Sequence, residues 1–183
     1  MAANMLTDDE TNLLNKLKDK FNSFSKSITL LNQNNCDQQA FILLFTYLDQ
    51  LGWLTSDGDF SNGADFKRWV DTYLDVSKLN CNSQDLWNAR CSLVHMDTAQ
   101  SQRFNPKIHS QLAFYKNVEL SEENRKIQES RHASPTKYVD VGILFDEFDI
   151  GLRKFVLDIF IKKELRDKVL NKVQQMTDYI ILN

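Results

Sequence analysis

Apolar residues recur every three or four positions along most of this 183-residue chain, which carries only five Gly and two Pro. That combination constrains the fold more than any single motif: the spacing is that of one helix face, and little in the composition breaks a helix. Leu13, Leu14, Leu17, Phe21 and Phe24 repeat this way after Thr7, Asp8, Asp9 and Glu10. The threonine reads as an N-cap, and the acids suit the positive end of a helix. A second helix is expected to begin after Asn34 or Asn35, carry Phe41, Leu44, Phe45 and Leu48, and end at Gly52. "TSDGDFSNGAD" is a turn-rich connection, and "DFKRWVDTYLDV" puts Phe66, Trp69, Val70 and Tyr73 on one side of a third helix.

From Arg103 to about Val139 the periodicity weakens and Pro106 and Pro135 appear. "QLAFYKNVEL" and "TKYVDV" read as extended segments around a polar loop, so a small β-hairpin is expected between about 107 and 141. From Gly142 helical spacing returns through Phe145, Phe148, Leu152, Phe155, Val156, Ile159 and Phe160, then Leu165, Val169 and Val173. This is one long helix, or two with a break near Lys163. "FIKKELRDKVLNK" alternates charge sign and reads as an exposed face with salt-bridge partners. No repeat and no linker divides the chain. The expected fold is mainly α, an up-and-down bundle of about five to six helices in a single domain spanning 1–183.

Composition narrows the function classes. Lys and Arg number 22 against 25 Asp and Glu, a net charge of −3, so no global positive field points to DNA or to a membrane. Cys36, Cys81 and Cys91 are odd in number and form no CxxC pair, which suits reduced thiols. The N-terminal stretch has neither a basic region nor an apolar core of a leader, and "FILLFTYL" is too short to span a bilayer. The expected location is cytoplasmic. No Walker loop, dinucleotide-binding glycine pattern or nucleophile elbow occurs.

The segment "DLWNARCSLVHMD", residues 85–97, carries the residues best suited to phosphate chemistry. On a helical wheel with Asp85 at zero, Met96, Ala89, Leu93 and Leu86 fall at about 20° to 100°, and Val94, Trp87 and Cys91 at about 180° to 240°. Arg90 and Asp97 lie between these apolar arcs at about 140° and 120°. His95, Asn88, Ser92 and Asp85 take the remaining, polar side. A buried guanidinium without an anion is very costly, so Arg90 must meet a carboxylate of its own fold or a ligand phosphate. Asp97 is an internal candidate. His95 follows Arg90 by five positions, a separation of about 140° and about 7.5 Å of rise, so the two converge poorly within one copy. Two copies related by a two-fold axis would bring both pairs to one cleft.

"ARCSLVH" resembles the R-x4-6-H signature of the HEPN superfamily of small helical domains, and "FKRWVDTYL" upstream is similar to the arrangement in HEPN-like bacterial proteins of unassigned function. The resemblance covers about 35 residues. It implies a homodimer and a metal-independent endoribonuclease of toxin, defence or RNA-processing type, with RNA or a nucleotide as ligand, an antitoxin protein as a further partner and no cofactor. His95 would be general base or acid at a ribose 2′-OH or leaving oxygen. Arg90 would hold the scissile phosphate. Asn88, Ser92 and Asp85 would support them. Two positions depart from the pattern: Cys91 stands where active members often carry a polar residue, and Asp97 where a subgroup has tyrosine. Other members bind nucleotides or partners without cleaving, so a non-catalytic module is the alternative.

Two lesser signals complete the reading. Arg125, Lys126, Arg131, His132 and Lys137 gather in a polar loop that could track an RNA backbone, with Tyr138 to stack a base, against the default of a solvated loop. Cys91 and His95 have the i, i+4 spacing of two metal ligands, but no further ligand pair follows, so no metal site is expected.

Overall fold

The computed structural model describes residues 6–96, 111–116, 123, 126, 130 and 136–176, with residues 94–96 described in their backbone only. Among them are six α-helices and two short strands: α1 (Asp8–Gln33), α2 (Asp37–Thr55), α3 (Gly63–Tyr73), a 3-10 turn (Val76–Leu79), α4 (Ser83–Met96), β1 (Gln111–Tyr115), β2 (Thr136–Asp140), α5 (Val141–Ile161) and α6 (Lys163–Val173). The fold is mainly α with a small sheet, as the periodicity predicts. Among the described residues no helix is long and apolar enough to cross a membrane.

Short polar motifs set where the helices begin. Thr7 and Glu10 form a capping box on α1, the threonine hydroxyl accepting from the Glu10 N–H and the glutamate accepting from the Thr7 N–H at 2.8 Å. Asn62 and Asp65 repeat the device on α3, and Asn82 and Asp85 repeat it on α4. Each box satisfies donors that the first helical turn leaves open. The Asp140 carboxylate caps α5 by accepting from the Ile143 N–H at 3.0 Å.

Helix α2 is the centre of the bundle and packs against α1, α3, α4 and α6. Gly52 does not end it. The residue is buried inside the helix, where an added Cβ would lie 3.0 Å from the backbone nitrogen of Phe66, so glycine here lets α3 approach closely. All four residues expected to face inward from α3, Phe66, Trp69, Val70 and Tyr73, are buried. The C-terminal run is two helices, broken at Lys162.

The extended excursion is real but is not a hairpin. β1 and β2 pair in parallel, with Gln111 beside Thr136 and Tyr115 beside Asp140. Alternation along a strand is blind to its partner's direction. The connection from 116 to 135 is, however, far longer than the two to five residues a hairpin turn needs, and it suits the crossover that parallel strands require.

Candidate functional site

Arg90 meets its anion from another helix. Its Nε donates to Asp49 Oδ2 on α2 at 2.6 Å, and its Nη2 also reaches that oxygen. The guanidinium lies over the Trp87 ring, 5.1 Å from its centroid. Both charged side chains are mostly covered, 18% exposed for Arg90 and 19% for Asp49. The requirement for a carboxylate is therefore met within the fold. Asp49 lies 41 positions upstream, beyond the reach of any wheel drawn on one helix. Asp97, the candidate drawn from the helical wheel, lies outside the described residues.

The polar side of α4 is not an open edge. Asp85, Asn88 and Ser92 are all buried, on a helix that packs against α2, α3 and β1. Asp85 accepts from the Asn82 N–H and from Lys137 Nζ at 2.7 Å, which ties the start of α4 to β2. The Asn88 side-chain oxygen accepts from Gln84 Nε2 at 3.0 Å, whereas its Nδ2 meets no acceptor among the described residues. The Ser92 hydroxyl donates back to the Asn88 carbonyl at 2.9 Å. The sequence placed these three beside a ligand. Burial followed where neighbouring elements lie, and local bonds use most of their polar capacity.

His95 lies in the last turn of α4, and its side chain is outside what the structure describes, as are Arg125, Arg131 and His132. Lys126 is exposed, and its carbonyl accepts from the Ser130 N–H. Lys137, counted among the RNA contacts, is held by Asp85 instead, and Tyr138 is buried rather than offered to a base. No cluster of three or more His, Cys, Asp or Glu residues is placed to hold a metal among the described residues.

Several buried charged groups escaped the sequence reading, among them Arg166, whose Nη1 donates to the Phe160 carbonyl at 3.1 Å. Lys172, assigned to an exposed face, is buried, and its Nζ donates to the Trp53 and Gly58 carbonyls, both at 2.7 Å, and to Ser56 Oγ at 2.6 Å. It closes the C-terminal end of α2, which has no basic residue of its own in the last turn. Burial pulls its pKa below the usual lysine range. The signal was present: Lys172 follows Val169 by three positions and so shares the apolar side of α6. Glu147 is likewise buried on α5, accepting from Lys78 Nζ at 2.5 Å and from the Asp75 N–H.

A second surface has the opposite character. Ile143, Ile150, Leu157 and Ile161 stand exposed on the outer face of α5, at 40%, 40%, 59% and 76%. Beside them a groove of about 610 Å³ runs between α1 and α5, with Leu14, Phe21 and Leu152 among its lining and Lys18 and Arg153 at its edge. Towards the start of α5, Ser25 Oγ donates to Asp149 Oδ1 across it at 3.2 Å.

Comparison with protein-family models, with curated proteins and with solved structures finds no match for this chain.

Proposed function

We propose that this chain is a HEPN-like helical domain that works as a non-catalytic interaction module. The observation that carries this reading is the engagement of Arg90 by Asp49, with Asn88 and Ser92 turned inward on the same helix. A phosphate reaching Arg90 would have to displace a carboxylate bound through two nitrogens, at a cost that a built phosphate site avoids. Cys91 beside the arginine supports the same reading. The free thiols of Cys36, Cys81 and Cys91 suit the reducing cytoplasm.

A second reading, a metal-independent endoribonuclease, draws on the incomplete burial of Arg90, which keeps part of its side chain at the surface on the helix that also carries His95. In that reading two copies would share the cleft, RNA would be the substrate, and an antitoxin protein would restrain the activity. Incubation of the purified protein with mixed RNA in EDTA separates the two. The module leaves the RNA intact. Cleavage with cyclic-phosphate ends, lost in His95→Ala, would establish the nuclease and overturn the module.

A further inference from the structure

We infer that the outer face of α5 is a self-association surface, on which a second copy of this chain docks antiparallel about Ile150. The inference rests on the interaction-module reading and names its partner. Three features point to a second copy rather than to an unrelated protein.

The first is the straightness of the seam. Ile143, Ile150 and Leu157 are spaced by seven residues, and with Ile150 at zero on a helical wheel, Ile143 and Ile161 fall at about +20° and Leu157 at about −20°. Four exposed apolar side chains thus form one narrow line about 27 Å long. Such a line is the contact surface of one helix against another, because the seven-residue repeat keeps it facing a neighbouring helix. Among the described residues nothing covers it.

The second is charge. Asp146 and Arg153 are both exposed, and neither side chain has a hydrogen bond or ion pair among the described residues. They lie on the same flank of the seam, at about −40° and −60°. In an antiparallel pair about a two-fold axis through Ile150, a residue a given number of positions before Ile150 lies opposite one the same number after it. Ile150 then meets Ile150, and Ile143 meets Leu157. The same operation keeps like flanks together, so Asp146, four before, faces Arg153 of the second copy, three after, and does so twice. A parallel pair would instead set Asp146 against the Glu147 side and Arg153 against the Lys154 side, like charge on like.

The third is room. The flank that carries Asp146 and Arg153 borders the α1–α5 groove, where Leu157 and Phe160 also line the wall, so side chains of a second helix can enter beside the seam. This surface lies on α5, whereas Arg90 sits on α4 against α2. Association here does not assemble the composite Arg90 and His95 cleft.

Sedimentation of the full chain over a wide concentration range tests the proposal. The expected result is a monomer–dimer equilibrium, with Ile150→Asp weakening association about tenfold or more, as loss of a central apolar contact does. Asp146→Arg and Arg153→Asp each weaken it, and the double variant with both exchanged restores it. Circular dichroism confirms that each variant folds, and the charge exchange remains decisive if Ile150→Asp does not. A monomer throughout, a dimer indifferent to Ile150→Asp, or a double variant that fails to recover would overturn the inference. RNA cleavage bears on the module reading alone, so the two can fail separately.

Discussion

The buried side of α4 and the outer face of α5 are opposites, and each contradicts its first appearance. The α4 segment gathers arginine, asparagine, serine and aspartate, the composition of a site, yet nearly all of that polarity is taken up internally by Asp49, Lys137, Gln84 and the helix backbone. The outer face of α5 shows isoleucine and leucine, the composition of a core, and none of the described residues covers it. Polar residues mark function only when the fold leaves them unanswered. Apolar residues mark packing only when the fold supplies a neighbour.

The contrast breaks first at Asp49. If the Arg90–Asp49 pair is structural, Asp49→Ala leaves a mostly buried guanidinium without its carboxylate, and the chain should lose about 3 kcal/mol. Urea denaturation would show it, and melting should fall by about 6 to 12 °C for a chain of this size. Replacing both partners, Asp49→Leu with Arg90→Met, should recover most of that loss, because no charge is then stranded. A near-neutral Asp49→Ala would mean that the Arg90–Asp49 pair does not hold the fold together, and the difference between the two helices would narrow.

A second effect concerns the centre of the bundle. Gly52→Ala places a Cβ 3.0 Å from the Phe66 nitrogen, against backbone that cannot rotate away, so α3 must shift. The expected cost is about 1 to 3 kcal/mol, seen as a lower denaturation midpoint with an unchanged slope.

These two sites also show what the sequence could and could not carry. Local information was legible: Thr7 as a cap, the inward face of α3, and the return of helical spacing at α5 all depend on residues within a few positions of one another. What failed depended on distant neighbours. Gly52 looked like a stop because glycine announces either a turn or a close approach, and only the position of Phe66 tells which. The two strands looked like a hairpin because alternation carries no direction. Arg90 demanded an anion from its place between apolar arcs, but Asp49 is a contact between helices that no single-helix wheel contains. Lys172 was misread for a different reason, since its charge outweighed its position on an apolar stripe.

Alkaline pH should test the packing between these helices without any substitution. Burial pushes the Cys81 thiol up to about 12 from its usual value of 9.0, and burial also raises Tyr47 and Tyr73 above 10. Each group is neutral when protonated and holds its proton more tightly in the folded chain, so above the unfolded pKa the unfolded state binds fewer protons and stability falls as pH rises. The decline should begin near pH 9 with Cys81 and steepen near pH 10 with the tyrosines. In Cys81→Ala the urea midpoint should be flatter between pH 9 and 10, with the steeper fall above it retained. A slope unchanged by that substitution would remove Cys81 from the account.

The smallest stability effect belongs to the outer face of α5. Leu157→Gln removes an exposed side chain that packs against little in its own copy, so the change in unfolding free energy at high dilution should stay within about 0.5 kcal/mol. The same change should lower the concentration dependence of the denaturation midpoint, because a second copy that binds only the folded state stabilises it by mass action. Leu157 then separates two roles that are usually confounded, since a residue of the fold shifts the midpoint equally at every concentration and a residue of a contact between copies shifts it only where copies meet. A large loss at high dilution would assign Leu157 to the core of its own bundle, and the outer face of α5 would differ from the buried side of α4 only in polarity.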